Sequence, residues 1–304
     1  MQPTVLVASP EKEYELLDSG EGEKLERYGA VILARPDPQA LWRKKTPAKW
    51  AEAAAIFSRT DNAAEARWNI NSSVPERWPV SVAGLSFWVK PTPFKHTGLF
   101  PEQSENWKWI SKIISQHPSL DKEGGESGEP GGGVKILNLF GYTGGATLAA
   151  AKAGAEVVHV DGSRAAITWA RDNAELCGLK DAPIRWMLDD VLTFVRREVR
   201  RGHTYDGIIM DPPSFGRGPK REVWKIEEHL TELLELSKKL LSPKPLFVLI
   251  NGYASGYSAL SYGNSLSDLM NDKTGMVEIG ELTIKELSGG RLLPAGIFAR
   301  WQHK

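Results

Sequence analysis

A chain of 304 residues, 41% hydrophobic and 25% charged, has the make-up of a soluble globular protein with room for one large domain or two modest ones. Its 38 basic and 38 acidic residues cancel, which argues against a partner held by a global positive field but not against one recognised at a specific site. The single cysteine, Cys177, excludes an internal disulfide and fits a reducing cytoplasm. The N-terminus lacks the basic start and apolar segment of a signal peptide, and apolar runs such as "PLFVLI" are strand-sized, so no membrane span is expected.

Residues 1–92 carry the strand-like pieces "TVLVA", "YGAVILA" and "LSFWVK" and one helical stretch, "PAKWAEAAAIF". They predict a small mixed, β-rich domain, a candidate for substrate recognition. Seven of the eleven tryptophans precede residue 110, so this part differs in character from the rest. At about 121–133, "DKEGGESGEPGGG" has no apolar residue and reads as a flexible loop; its carboxylates would repel a phosphate.

From Val134 the pattern changes. The strands "VKILNLF", "EVVHVDG", "PIRWML", "DGIIMD" and "LFVLIN" alternate with helical stretches beginning "GATLAAA", "RAAITWA", "VLTFVRR" and "REVWKIE". Strict alternation predicts right-handed βαβ units and a doubly wound, mostly parallel sheet covered on both faces. "MVEIGELTIKEL" and "LLPAGIFARWQ" read as a closing antiparallel pair, which separates the chain from a plain dinucleotide-binding fold. Residues 93–304 form this second domain.

The first strand runs into "NLFGYTGGATLAAA", a glycine turn that lets a ligand approach the backbone and the N–H groups of a helix. Phe140, Gly141, Tyr142, Thr143 and Gly144 are the candidate contacts. Asp161 ends the second strand, 20 residues after Gly141, where a carboxylate accepts from ribose hydroxyls; Gly162 and Ser163 follow it. Asp189 or Asp190, ending the third strand, is placed for an adenine amino group. Tyr142 stands where a dinucleotide fingerprint needs a close-approach glycine, so a pyrophosphate fits poorly. S-adenosylmethionine, which has no phosphate, fits better, with S-adenosylhomocysteine as product.

These motifs, with "DPPSFGRG" from Asp211, resemble class I S-adenosylmethionine-dependent methyltransferases, in particular the branch that modifies bases of large-subunit ribosomal RNA, with its cytosine-C5 and guanine-N7 enzymes. The resemblance covers roughly residues 92–302. It implies a seven-stranded sheet, an RNA partner and a methylated nucleobase. It also implies that "FKHTGLFPEQSENWKWI" packs over the cofactor, making Thr97, Phe100 and Gln103 cofactor neighbours. In such enzymes Asp-Pro-Pro-aromatic turns grip a planar amine, so Asp211, Pro212 and Phe215 are the expected catalytic residues, and Asp211 also borders the cofactor. Here Ser214 holds the aromatic position and the ring comes one residue later. That departs from the strict amino-methylating pattern and matches the ribosomal RNA variant.

Methylating carbon 5 of a pyrimidine needs a thiolate. Cys177 ends a helix that runs away from the cofactor edge and reads as a core residue, and "LINGYASG" holds no cysteine where relatives place one. A ring nitrogen such as guanine N7 carries its own lone pair and suits the site better. Asn251 and Tyr253 are candidates for the pocket wall. Arg217, Lys220 and Arg221 are candidates for phosphate contacts, whereas the arginines of "RREVRRGH" read as a solvated helix end. His96 and His203 have no partner at metal-ligand spacing, so no metal is expected. The rival readings are a small-molecule or protein methyltransferase, a non-catalytic binder of the cofactor, and a nicotinamide-dependent dehydrogenase.

Overall fold

The computed structural model describes residues 2–58, 67–117, 133–253 and 256–304. The chain forms two compact units. The smaller comprises Leu6–Glu105 with Leu282–Ala295, the larger Met1–Val5, Asn106–Glu281 and Gly296–Lys304. The far ends of the last two strands thus group with the N-terminal part, which a single boundary at residue 92 does not contain.

Strand β1 (Thr4–Ala8) leads into the smaller unit, where β2 (Tyr14–Gly20), β3 (Glu23–Tyr28) and β4 (Val31–Pro36) run antiparallel, followed by β5 (Ala55–Ser58) and β6 (Arg67–Ile70), in the order β2-β3-β4-β5-β6. The β2–β3 loop is Glu21-Gly22, both at positive φ, the geometry that tight hairpins favour. A second pair, β7 (Trp78–Val82) and β8 (Leu85–Val89), forms its own hairpin. The expected helix "PAKWAEAAAIF" is instead a 3₁₀ turn, Pro47–Glu52, followed by β5. Ala55 and Phe57 are buried while Ile56 and Ser58 are exposed, a period of two that a helix cannot satisfy.

Polar groups brace this unit from inside. Glu26 is fully buried and accepts from Tyr14 Oη at 2.8 Å, Tyr28 Oη at 3.2 Å and Arg35 Nε at 2.8 Å. Asp18, also buried, accepts from the N–H groups of Lys45 and Thr46 and from Trp50 Nε1, pinning the loop after Trp42.

The larger unit begins within α1 (Ser104–Ser115) and continues β9 (Lys135–Leu139), α2 (Gly145–Lys152), β10 (Glu156–Asp161), α3 (Arg164–Leu176), β11 (Ile184–Leu188), α4 (Val191–Arg201) and β12 (Gly207–Met210). Then come β13 (Phe215–Arg217), β14 (Val223–Lys225), α5 (Ile226–Lys239), β15 (Phe247–Gly252), α6 (Ala259–Leu269), β16 (Gly275–Lys285) and β17 (Leu292–His303). The sheet order is β1-β16-β17-β15-β12-β9-β10-β11; β9 to β12 and β15 are parallel and β17 is antiparallel to β15. This is the doubly wound, mostly parallel sheet read from the sequence, with its antiparallel pair.

Three details differ. The sheet has eight strands rather than seven, because "TVLVA" joins it as β1 beside β16, where Gly280 leaves room for the Thr4 carbonyl that a side chain would block. "REVWK" does not begin a helix: Val223–Lys225 pairs with Phe215–Arg217 as a hairpin before α5. Helices α1 and α6 form from stretches with no assigned element. The Gly- and Glu-rich stretch at about 121–133 lies, apart from Gly133, outside the described residues.

Side chains alternate between the two faces of the sheet. Leu137, Leu139, Ile208, Met210, Val248 and Ile250 pack with Phe194 and Val195 of α4, Leu233 and Leu234 of α5 and Leu266 of α6. Ile136, Ile209 and Leu249 point the other way, as does Phe247, whose ring meets Trp109 of α1 edge-on at 5.2 Å. Strand order reverses between β9 and β12, so their carboxyl tips flank the crevice where open α/β sheets bind ligands.

Candidate cofactor and acceptor site

The turn after β9 is built under backbone constraint. Phe140 and Tyr142 have φ of 57° and 46°, and Gly144, which caps α2, has 92°. Left-handed non-glycine residues cost about 1–3 kcal/mol each and persist where the surroundings enforce them. The enforcing contacts are visible. Gly141 N–H donates to Val160 O at 3.0 Å and Gly144 N–H to Gly141 O at 2.9 Å. Asn173 Nδ2 holds Thr143 O at 2.9 Å.

Gly141 lies directly on the His159 ring and Gly145 on Trp107; a Cβ at either position would overlap those rings. His159 is fully buried, with Nδ1 2.8 Å from Thr147 Oγ1, which in turn accepts from Asn138 Nδ2 at 2.8 Å. Burial pushes the imidazole down to about 3, so it is neutral at physiological pH.

Asp161 faces the turn from the tip of β10. Its Oδ2 accepts from Tyr142 N–H at 2.9 Å and its Oδ1 from Ser163 N–H at 2.8 Å. Burial raises its pKa, against these two hydrogen bonds, which lower it. A carboxylate has about four acceptor positions, so two remain for hydroxyl donors.

At the next strand tip, Asp190 caps α4 by accepting from Thr193 N–H at 2.8 Å. Asp189 is tied elsewhere, to the Arg197 guanidinium at 2.7 Å. Of the two aspartates weighed for adenine, each already has a structural task.

Asp211 follows β12, and its N–H donates to Leu139 O at 3.3 Å, joining the two tips that border the crevice. Pro212 is buried. The Pro213 carbonyl accepts from Trp224 Nε1 at 2.7 Å, and Trp224 packs edge-on against Phe140 at 4.8 Å. Phe215 opens the β13–β14 hairpin with its ring 53% exposed and the Arg217 guanidinium 5.9 Å from the ring centre. The hairpin reaches across the neighbouring tips: a Cβ on Gly162 would lie 3.1 Å from Arg217 O, and one on Gly218 would lie 3.0 Å from the Asp190 Cβ.

A family model described as S-adenosylmethionine-dependent methyltransferase matches residues 56–260. The chain belongs to this family. A solved S-adenosylmethionine-dependent methyltransferase from Agrobacterium tumefaciens is 42% identical and superposes with a TM-score of 0.89 over 99% of this chain and 94% of that one. The ribosomal RNA large subunit methyltransferase K of Neisseria meningitidis is 24% identical over 88% of this chain and 71% of its own length. The K/L protein of Chromohalobacter salexigens is 32% identical over 64% of this chain, but the match spans only 24% of that longer protein.

S-adenosylmethionine is therefore the methyl donor of this methyltransferase, and the residues present fit it. The Gly141 turn gives a bare backbone approach above a neutral imidazole, and Asp161 keeps acceptor positions open. The methyltransferase brings Phe140–Gly144, Asp161, Gly162, Ser163, Asp189, Asp190, Asp211, Pro212 and Phe215 to the carboxyl edge of one sheet. Thr97, Phe100 and Gln103 belong to the smaller unit, where Thr97 and Gln103 are buried and Phe100 packs 5.5 Å from the His96 ring.

Asn251 is not an open pocket residue: it accepts from Asn106 Nδ2 at 3.0 Å, and Asn106 receives Arg300. Tyr253 is 39% exposed. Arg217, Lys220 and Arg221 are exposed on or beside the hairpin. Cys177 is half-buried rather than in the core, at the C-terminal end of α3.

Sequence reasoning missed His159, Trp224 and the hairpin. A histidine in the middle of an apolar strand, two residues before Asp161, and a tryptophan flanked by Val and Lys were the available signals. Among the described residues no cluster of metal-binding side chains occurs, and no helix is long and apolar enough to cross a membrane.

Proposed function

We propose that this methyltransferase modifies a nucleobase nitrogen in RNA, with large-subunit ribosomal RNA as the substrate class. One observation carries the reading: an acceptor turn, Asp211-Pro212-Pro213-Ser214-Phe215, bonded to Leu139 at the end of β9, immediately before the glycine turn, and presenting an exposed aromatic ring. The names of the Neisseria and Chromohalobacter relatives support it. When bound, S-adenosylmethionine supplies an electrophilic methyl group held by the Phe140–Gly144 turn, Asp161 and Asp190.

The chain's own contribution is positioning. Trp224 takes the Pro213 carbonyl, which leaves that of Pro212, with the Asp211 carboxylate, to accept from an N–H of the base. Phe215 offers a stacking face. A turn fixed by two prolines loses little entropy when it orients the acceptor, and orientation is the main need of a nitrogen that carries its own lone pair. A target within structured RNA must be extruded to reach the strand tips.

Cys177 stands about 20 Å from the cofactor edge along α3, which favours nitrogen over pyrimidine carbon 5 as the target. Exposed Arg217, Lys220 and Arg221 supply phosphate contacts, the smaller unit contributes substrate recognition, and the setting is the cytoplasm. Nucleoside analysis of RNA from cells with and without the gene tests the reading: loss of one methylated nucleoside is expected, and an unchanged profile overturns it. In vitro, Asp211→Ala lowers labelled-methyl transfer by roughly 100-fold or more while cofactor binding persists.

A further inference from the structure

Within the larger unit four buried side-chain polar atoms lack a hydrogen-bond partner among the described residues, His159 Nε2, Arg197 Nε, Ser242 Oγ and Tyr262 Oη, and the last of them borders the acceptor turn. Tyr262 lies on α6 with its side chain 2% exposed, and its hydroxyl is buried without a hydrogen-bond partner among the described residues. Buried hydroxyls without partners are costly and uncommon, and each calls for an explanation.

The surroundings locate it. The phenol head rests on Gly252, the last residue of β15: a Cβ there would lie 2.8–2.9 Å from Tyr262 Cε2, Cζ and Oη. Only a glycine admits the ring. β15 runs parallel to β12 with Met210 level with Ile250, so Asp211 comes level with Asn251, one residue before Gly252. The hydroxyl therefore sits at the carboxyl tips, beside the acceptor turn. The Asp211 charge is felt there: burial first, then Tyr257 and Asp211, push the Tyr262 pKa up to about 12. The group is a neutral phenol at physiological pH, able to donate.

We propose that the Tyr262 hydroxyl donates a hydrogen bond to the acceptor base and is, with Asp211, one half of a two-point reading of its edge. Asp211 is an acceptor and takes an N–H; Tyr262 is the donor and takes the carbonyl oxygen or bare ring nitrogen beside it. A base edge with a donor next to an acceptor meets both, whereas an amine without a neighbouring acceptor leaves Tyr262 unpaired. The inference rests on the nucleobase reading above and names a further specificity residue for it.

The test compares the full chain with Tyr262→Phe in three measurements: labelled-methyl transfer to RNA, protein and metabolite fractions, calorimetric affinity for S-adenosylhomocysteine, and the thermal midpoint. The expected result is a tenfold or greater fall in kcat/KM for transfer, with affinity within twofold and a midpoint equal to or above that of the parent. A merely structural tyrosine gives the same or higher midpoint with transfer unchanged, which overturns the proposal. A parallel loss of S-adenosylhomocysteine affinity also overturns it, because the hydroxyl then serves the cofactor. Label in the protein or metabolite fraction instead of RNA overturns the RNA reading alone, and Tyr262 is then judged by the same comparison on the labelled acceptor. No transfer by the parent chain to any fraction overturns both.

Discussion

A buried carboxylate and a half-buried one do opposite things in this chain. Glu26, in the smaller unit, accepts from two tyrosines and a guanidinium, and Lys24 stands 3.7 Å away. Burial alone would raise its pKa; Arg35 and then Lys24 outweigh that and hold it below the ordinary range. Asp161, in the larger unit, accepts from two backbone N–H groups among the described residues, and burial prevails, so its pKa is raised. Glu26 has its acceptor capacity consumed by the protein and acts as scaffold. Asp161 keeps capacity open at the carboxyl edge of the sheet. Burial of a charge is therefore no sign of function by itself; what counts is how many acceptor positions the fold leaves unused.

The largest effect is expected at Glu26. Glu26→Gln leaves the Arg35 guanidinium buried without its counter-charge and should cost about 3–5 kcal/mol in denaturant unfolding. A loss below about 1 kcal/mol would mean that the network is not what holds the smaller unit together.

Asp161→Ala should act the other way. Calorimetry should show affinity for S-adenosylhomocysteine falling roughly 10- to 100-fold, since two charge-assisted hydrogen bonds are at stake. The unfolding midpoint should change much less than for Glu26→Gln.

The smallest effect concerns the histidine beneath the glycine turn. His159 is held at about 3, well below its ordinary 6.5, so between those values the unfolded chain binds a proton that the folded chain does not. Stability from this group is complete above pH 6.5 and declines as pH falls, by up to about 1.4 kcal/mol per pH unit. Urea midpoints at pH 7, 5.5 and 4.5 should fall more steeply for the parent than for His159→Gln. Parallel slopes would remove His159 from the account.

Much of the larger unit was legible because its signals are local. β-branched runs of five or six residues, Gly141 after the first of them and Asp161 20 residues later identify a βαβ unit with an adenosine-type edge. "PAKWAEAAAIF" misled because alanine-rich stretches favour helix in isolation, while β4 offered Ala55 and Ile56 a pairing edge. "REVWK" misled because its strand exists only through the partner Phe215–Arg217 across a turn. Asp189 and Asp190 looked alike in sequence; Arg197, two helical turns on, claims one, and the α4 backbone uses the other as its cap.

By itself the sequence determined the alternation of strands and helices, the glycine turn, Asp161 and the Asp-Pro-Pro-Ser-Phe turn, because chain neighbours and residue chemistry specify these. Tertiary contacts set which lone pairs stay open on Asp161, which proline carbonyl Trp224 removes, that β1 adds an eighth strand, and that a Tyr262 hydroxyl with no hydrogen-bond partner among the described residues reaches the tip beside Asp211. These depend on contacts between residues far apart in the chain, and such contacts follow from packing and closure of the sheet rather than from local pattern.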